Sequence, residues 1–226
     1  MKCFFIFLIS GLLHSQMQTA SVQYSLSFID NLDLEKDEVL GGYYKKAKAE
    51  ANQMGFTLQI DHHKMLFFKN EGLSIAKSSF ADAFCDAVGV FYYENGGLEI
   101  LNDIDDKHIG RYIIKLKGQF QWKLHNEQKK IDHYNCLKAT SEIKNGDKTT
   151  LVTAWYCPQI PVSFGPKGYN GLPGLILELH EGDVVFGANK VALNHLDKAI
   201  QKPTGAPLLT EKEYNDLIQK MTSDKN

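Results

Sequence analysis

The segment at residues 165–183, GPKGYNGLPGLILELHEGD, constrains the fold more than any other part of this sequence. Pro173 holds φ at about −65°, and Gly174 supplies the positive φ that a type II turn requires at its next position. The following residues alternate as in a β-strand, with Leu175, Leu177 and Leu179 on one face and Ile176, Glu178 and His180 on the other. A slip of one residue would exchange the leucines for Glu178, so the turn is expected to set the register of a buried strand.

Alternating apolar and polar residues recur through most of the chain, which is typical of strands with one buried face. The predicted strands cover residues 22–28, 56–60, 64–68, 88–93, 98–101, 111–116, 119–125, 134–143, 149–157, 175–180 and 184–193. Asn-Gly pairs at 95–96 and 145–146 favour tight hairpin turns. The pattern therefore predicts a mainly β fold with a minor α contribution, built on a curved, half-barrel-like antiparallel sheet.

Two segments have the spacing of helices. Residues 35–53 repeat apolar positions every three to four residues, although Gly41 and Gly42 weaken this helix. Residues 209–221 begin with a capping box, in which Thr210 and Glu213 each bind the other's backbone. We therefore predict a short helical insertion and a C-terminal helix.

The first 15 residues have the layout of a secretory signal peptide. Lys2 precedes an apolar run from Cys3 to Leu13, which is too short to cross a bilayer, since that requires about 20 residues. A buried helix is the alternative. We expect cleavage after Ser15 and a single β-rich domain at residues 16–226. Because Cys3 stands at the start of the apolar run and not after it, where a lipid-bearing cysteine would lie, the protein is expected to be exported to the periplasm or beyond as a soluble chain without a lipid anchor.

The net charge of the chain and the absence of common catalytic motifs argue against several classes of function. The formal net charge is −2 and becomes −3 without residues 1–15, a balance that argues against nucleic acid as a partner. No second hydrophobic span follows the signal segment, so no transmembrane segment is expected. G-x-S-x-G, H-E-x-x-H, Walker and dinucleotide-binding motifs do not occur in the sequence, so we predict no cofactor. The acidic and histidine-containing runs at 61–63 and 103–108 are interpreted as solvated loop charges, and no metal site is predicted.

Three longer stretches and one hexapeptide carry a family resemblance. Residues 171–176, Gly171, Leu172, Pro173, Gly174, Leu175 and Ile176, spell GLPGLI. Together with the runs at 121–140, 153–179 and 202–218, this hexapeptide resembles the GLPGLI family of exported bacterial proteins, found mainly in Bacteroidetes. The resemblance implies export, a mostly β domain and no settled activity. The family is also similar in fold to a bowl-shaped domain attached to some bacterial peptide:N-glycanases, from which no catalytic residue carries over.

Cysteines 136 and 157 flank the second Asn-Gly turn. A two-residue loop is expected to place Cys136 opposite about residue 155, within a small register change or bulge of Cys157. In an oxidising compartment a disulfide between them would close a loop of about 20 residues and contribute about 3 kcal/mol. Cys85 is interpreted as a small buried apolar residue, although it could replace either partner. The alternative for the pair is a thiol nucleophile assisted by His133 or His125. Cys157 also stands where the family more often has threonine.

Aromatic residues on the best-matching strands suggest a binding surface. Trp122, Trp155 and Tyr156 could form a concave aromatic surface for a glycan, lipid or peptide, although core packing also explains the tryptophans. We therefore predict an exported, non-catalytic envelope accessory or binding protein. Its partner would be an envelope protein, a lipid, a peptide or a glycan. The alternatives are a hydrolase of peptides or glycans, with Cys85, His133 and Asp132 as its candidate residues, and a structural partner of an outer-membrane complex.

Overall fold

A computed structural model describes residues 19–71, 80–107, 109–145, 148–196 and 198–223 of the protein. The predicted signal peptide, residues 1–15, lies outside these ranges. Within them, no helix combines the length and the apolar character that a membrane crossing needs.

In the part of the chain that the structure describes, twelve strands form one open, curved sheet, which confirms the predicted fold class. The strands are β1 Thr19–Phe28, β2 Gly55–Asp61, β3 Lys64–Lys69, β4 Val90–Glu94, β5 Glu99–Asp106, β6 Gly110–Lys117, β7 Lys123–Ile131, β8 Tyr134–Asn145, β9 Lys148–Cys157, β10 Leu175–Glu181, β11 Val184–Leu193 and β12 Leu208–Thr210. Their order is β12-β6-β5-β4-β3-β2-β1-β11-β10-β9-β8-β7. All neighbours pair antiparallel except β12, which pairs parallel with β6. The sheet therefore ends at β7 on one side and at the short β12 on the other.

The helices are α1 Leu32–Lys36, α2 Gly41–Ala51, α3 Phe80–Cys85 and α4 Glu211–Ser223. The predicted helical insertion is confirmed, but it forms two helices rather than one helix over residues 35–53, because residues 37–40 are not helical. The side chain of Asp37 accepts hydrogen bonds from the backbone N–H groups of Val39 and Leu40, at 2.9 and 2.7 Å. A β-carbon on Gly41 would lie 2.6 Å from the carbonyl oxygen of Glu35, so the close approach of the two helices requires glycine.

The C-terminal helix is confirmed, with a small change of bounds. Glu213 Oε2 accepts from Thr210 N at 2.7 Å, and Glu213 N donates to Thr210 Oγ1 at 3.2 Å, which is the predicted capping box. The helix begins at Glu211 rather than at residue 209. The residues just before it form β12, which the sequence did not predict.

One face of the sheet, called the inner face, carries the main core. Phe56 and Phe67 stack with ring centroids 5.4 Å apart, and Phe186 meets both rings edge-on. Residues 158–174 fold back against this face, where Phe164 contacts Tyr93. The opposite, outer face is polar over β1, where serines and Gln23 alternate with the buried positions.

The GLPGLI turn differs from the expected type II turn. Gly174 does not have a positive φ. Instead its N–H donates to Leu172 O at 2.9 Å, which closes a tighter turn around Pro173. A β-carbon at position 174 would overlap the carbonyl oxygen of Cys157. Glycine is therefore required here for close backbone contact rather than for an unusual backbone angle.

The strand after this turn is buried as predicted, but its alternation is interrupted. Leu175, Leu177 and Leu179 are each at most 1% exposed. Ile176, expected on the opposite face, is buried as well, because a bulge lies between Ile176 and Glu178 in the pairing with β9. Ile176 O accepts from the hydroxyl of Tyr24 at 2.6 Å on the inner face. The extra residue of the bulge thus lets Ile176 and Leu179 share that face.

Candidate functional site

The outer face of β7 to β10 carries a group of polar side chains around one tryptophan. We call this group the Trp155 face; it consists of Lys129, Lys138, Thr140, Thr153, Trp155, Glu178 and His180. Most of these residues lie in two rows that run across strands β8, β9 and β10. Trp155 lies opposite Lys138 on one side and Glu178 on the other. Thr153 lies in the same way between Thr140 and His180. Directly opposed residues project from the same face of a sheet, so these rows form one surface.

Strand alternation turns Trp155 outward. Its neighbours Ala154 and Tyr156 are 0% and 3% exposed and face the core, whereas Trp155 is half-buried. Lys129 Nζ lies 5.6 Å from the centroid of the indole ring, a cation–π contact. The indole is therefore held by its neighbours while part of it stays accessible.

Glu178 connects two other side chains of this surface, Lys129 and His180. It accepts two hydrogen bonds from Lys129 Nζ, at 2.7 and 2.6 Å, and one from His180 Nε2 at 2.6 Å. Partial burial opposes ionisation, but the hydrogen bonds from His180 and Lys129 outweigh it and hold the pKa of Glu178 below its ordinary value. An ionised carboxylate only accepts, so His180 Nε2 carries the proton between them.

The remaining charges of the surface are paired in the same way. Lys138 Nζ lies 2.9 Å from Glu127 Oε2. Each lysine of the Trp155 face thus has its own glutamate. The surface combines an accessible indole with oriented donors and acceptors, and its lysine and glutamate charges balance.

A second polar group lies on the inner face and was missed by the sequence analysis. Lys167 is 8% exposed; its Nζ lies 2.8 Å from Glu181 Oε2 and 3.2 Å from the carbonyl oxygen of Cys85. Tyr169 also hydrogen bonds to Glu181, and Asp86 is 3.9 Å from Lys167. We call these residues the Lys167 cluster. Lys167 and Asp86 have φ of 55° and 45°, a conformation that non-glycine residues seldom adopt.

Two groups of this cluster, the Tyr169 hydroxyl and the Cys85 thiol, have raised pKa values. Burial, and then the charge of Glu181, raises the pKa of Tyr169 well above its ordinary value. Burial raises the pKa of the Cys85 thiol to about 11. Both groups are therefore protonated at neutral pH, and the charge of Lys167 is compensated. The cluster joins residues 166–169, β10 and the end of α3, and its chemistry is that of a structural ion pair.

The three aromatic residues predicted to form one surface do not lie together. Trp122 precedes β7, because the predicted strand 119–125 begins only at Lys123. Its Nε1 donates to Asn170 O at 2.8 Å, and its ring packs beside Phe120. Tyr156 faces the core, on the side of the sheet opposite Trp155. Of the three, Trp155 alone belongs to the candidate surface.

The three described cysteines are free thiols. The pairing of Leu137 with Tyr156, and of Asn145 with Lys148, places Cys136 directly opposite Cys157. The predicted offset of about two residues is therefore wrong, and no bulge is needed to bring the two cysteines together. Cys85 lies elsewhere, at the end of α3.

The candidate hydrolase residues are not assembled. His133 Nδ1 lies 2.6 Å from Asp132 Oδ2 in the turn between β7 and β8, where the two side chains are 68% and 77% exposed. Cys85 is buried within the Lys167 cluster, where its sulfur lies 3.8 Å from Asp82 O. The thiol and the His133–Asp132 pair thus occupy different parts of the fold.

Two depressions are lined by residues that belong to neither the Trp155 face nor the Lys167 cluster. One, of ≈ 360 Å³, lies at the turn between β4 and β5 and is lined mainly by residues 94–99. The other, of ≈ 380 Å³, lies between β1 and β11 and includes Gln23 and Lys190. Within the described ranges, no group of three or more histidine, cysteine, aspartate or glutamate side chains has an arrangement that could hold a metal ion.

Comparisons with known proteins agree with this fold. Residues 141–178, from β8 to β10, match the model of a family described as "Protein of unknown function (Porph_ging)". The match covers part of the region that resembles the GLPGLI family, and that family name stays a prediction. No curated protein matches the chain.

Two solved structures of PNGF-II are similar to this protein. The structure in space group C2 has a TM-score of 0.57 and 18% identity, and covers 90% of this chain and 33% of its own. The structure in space group P21 has a TM-score of 0.55 and 19% identity, with the same coverage of 90% and 33%. This chain thus spans about one third of the PNGF-II chains, and the likeness shows a shared fold.

Proposed function

We propose that this protein is an exported, non-catalytic accessory domain that binds an uncharged glycan on the Trp155 face. The observation that carries the proposal is the position of Trp155, accessible on the outer face between Lys138 and Glu178. An indole packs well against the apolar C–H face of a sugar ring, and its rim of polar groups can bind the hydroxyl groups.

The charge pattern favours an uncharged ligand. Lys129 is paired with Glu178, and Lys138 with Glu127. A surface whose charges are compensated offers little attraction to an ionic ligand. Hydroxyl groups both donate and accept hydrogen bonds, so they suit a surface that presents a carboxylate, a histidine and two threonines.

The chemistry of the buried groups supports a binding role over a hydrolase. Cys85, the candidate nucleophile, has a pKa raised to about 11 and is enclosed in the core. His133 and Asp132 bind each other in a distant turn. The fold likeness to one third of the PNGF-II chains is in keeping with a module that accompanies other domains.

Binding is tested with neutral trisaccharides, such as maltotriose, cellotriose, mannotriose and triacetylchitotriose, by isothermal titration calorimetry. We expect one of these sugars to bind, and Trp155→Ala to weaken its binding by about tenfold, which corresponds to about 1.4 kcal/mol. Stacking on an aromatic ring contributes about 0.5–1.5 kcal/mol beyond the apolar area that it buries. Leu151→Ala is the matched control, because Leu151 lies on the same strand and face and is 57% exposed. Equal affinity of Trp155→Ala and wild type, or binding of charged peptides but not of sugars, would overturn the proposal.

Export is tested separately by N-terminal sequencing of the protein from the cell-envelope fraction of an exporting host. The signal-peptide prediction expects Gln16 as the first residue. A chain that keeps Met1 and stays in the cytoplasm contradicts export without bearing on the binding surface.

A further inference from the structure

We propose that Cys136 and Cys157 form a cross-strand disulfide while the β8–β9 hairpin folds, before neighbouring side chains enclose the two sulfurs. The proposal concerns a modification site of this chain and does not depend on which ligand the Trp155 face binds.

The pairing of the strands brings the two cysteines together. β8 and β9 keep one register from Asn145–Lys148 to Leu137–Tyr156, and Cys136–Cys157 is the next pair. The two side chains interact directly, since the thiols share a hydrogen bond. Opposed residues in antiparallel strands have Cα atoms about 4.5–5.5 Å apart, which lies within the range that a disulfide spans.

The folded protein encloses both sulfurs. Cys136 and Cys157 are each 0% exposed. Gln159 Oε1 lies 3.8 Å from Cys157 Sγ and accepts from Asn135 N at 3.2 Å, which fixes it beside the pair. Lys129, directly opposite Cys136 on β7, reaches across to Glu178. An oxidant therefore has no direct path to either sulfur once β7 and residues 158–160 are in place.

Burial also suppresses the reactive form of the thiol. The apolar surroundings, together with the charge of Cys157, raise the pKa of Cys136 to about 12. In an unfolded chain a cysteine thiol has a pKa of about 8.5, so far more thiolate is present before the hairpin is covered. A hairpin is a local structure that forms early, since its contacts are close in sequence.

The chemistry requires a disulfide oxidant, such as glutathione disulfide or an exported dithiol–disulfide oxidoreductase. The thiolate of one cysteine attacks the S–S bond of the oxidant and releases one of its sulfurs as a thiolate. The second cysteine, as a thiolate, then attacks the mixed disulfide and releases the other sulfur. One S–S bond forms in the protein and one breaks in the oxidant. The two protons and two electrons lost by the cysteines convert the oxidant to two thiols.

The experiment compares two routes to the oxidised protein, using the full chain with Cys3→Ser. In one route the reduced, denatured chain refolds in glutathione disulfide; in the other, glutathione disulfide is added to the reduced, folded protein. Free thiols are alkylated at intervals, and the linked peptides are mapped by mass spectrometry without reduction. We expect a Cys136–Cys157 link in the refolded material, and formation at least about tenfold slower in the folded protein.

Two cysteine variants test which residues form the link, and protein from an exporting host tests the link without refolding. Cys85→Ser should form the link as the parent does, whereas Cys157→Val should not form it. The same mapping on protein made in an exporting host answers the question without refolding. A link that involves Cys85, or a folded product from either preparation with Cys136 and Cys157 both free, overturns the proposal. If the disulfide forms at equal rates during refolding and in the folded protein, the claim that it forms before the sulfurs are enclosed is overturned.

Discussion

Lys129 on β7 forms an ion pair with Glu178 on β10, at 2.6 Å, although β8 and β9 lie between these strands in the sheet. The lysine side chain crosses the outer face beside Trp155 and ties the edge strand to the interior of the sheet. Among the described strands, β7 has one neighbour, β8, so this contact gives the edge of the sheet a second attachment. The same contact holds the indole of Trp155 on the proposed binding surface.

Replacing Lys129 with methionine is expected to destabilise the protein by about 1 kcal/mol. The change leaves Glu178, whose side chain is 15% exposed, without its cation, while Lys129 itself is partly solvated, which limits the loss. Urea unfolding measures the difference. Lys130→Met is the control, since Lys130 is an exposed neighbour on the same strand. Equal free energies of unfolding for the two variants would show that the contact does not stabilise the edge.

Acid should weaken this contact in a defined range of pH. The pKa of Glu178 is lower in the folded protein than its ordinary value of 4.5. Its ionised form therefore stabilises the fold above the unfolded pKa, and this contribution is lost as the pH falls through the lower, folded value. The stability difference between wild type and Glu178→Gln should shrink as the pH falls from neutral through the unfolded value of 4.5 and below it. A difference that stays constant over this range would assign the effect of the substitution to packing.

Gly174→Ala should destabilise the protein by about 1–3 kcal/mol or more, because the new methyl group would overlap the carbonyl oxygen of Cys157. The matched control is Gly187→Ala, where nothing lies within 4 Å of the added carbon. Thermal unfolding of both variants gives the comparison. A small effect at position 174 would mean that residues 157–158 move easily, contrary to the close contact described above.

The Lys167 cluster should matter for stability and not for binding. Lys167→Met removes the cation beside Glu181 and Tyr169, and we expect a loss of about 3 kcal/mol, as for other broken buried ion pairs. Methionine has a side chain of similar length to lysine, and both residues meet the same steric cost at the φ of 55°. The variant that remains folded should bind the sugar with the affinity of wild type. A folded variant that loses binding would instead place the function on the inner face.

The sequence predicted most strands because alternation is a local property. It misplaced Ile176, because the bulge before Glu178 depends on how β9 pairs and leaves no mark in the alternation of β10 itself. Lys167 could not be found, since its partners Glu181 and Cys85 are 14 and 82 residues away. Of the candidate surface, Trp155 was predicted. Lys129 and Glu178 join it only through a contact that spans 49 residues of sequence.

The two tryptophans provide the most direct test of the proposed binding surface. Each indole N–H gives its own signal in a ¹⁵N-correlated NMR spectrum. The Nε1 proton of Trp122 is engaged by Asn170 O, away from the Trp155 face, and serves as an internal reference. On titration with the trisaccharide that binds, the Trp155 signal should shift in a saturable way while the Trp122 signal stays in place. A shift of Trp122 alone, or no shift of either signal at saturation, would contradict the account.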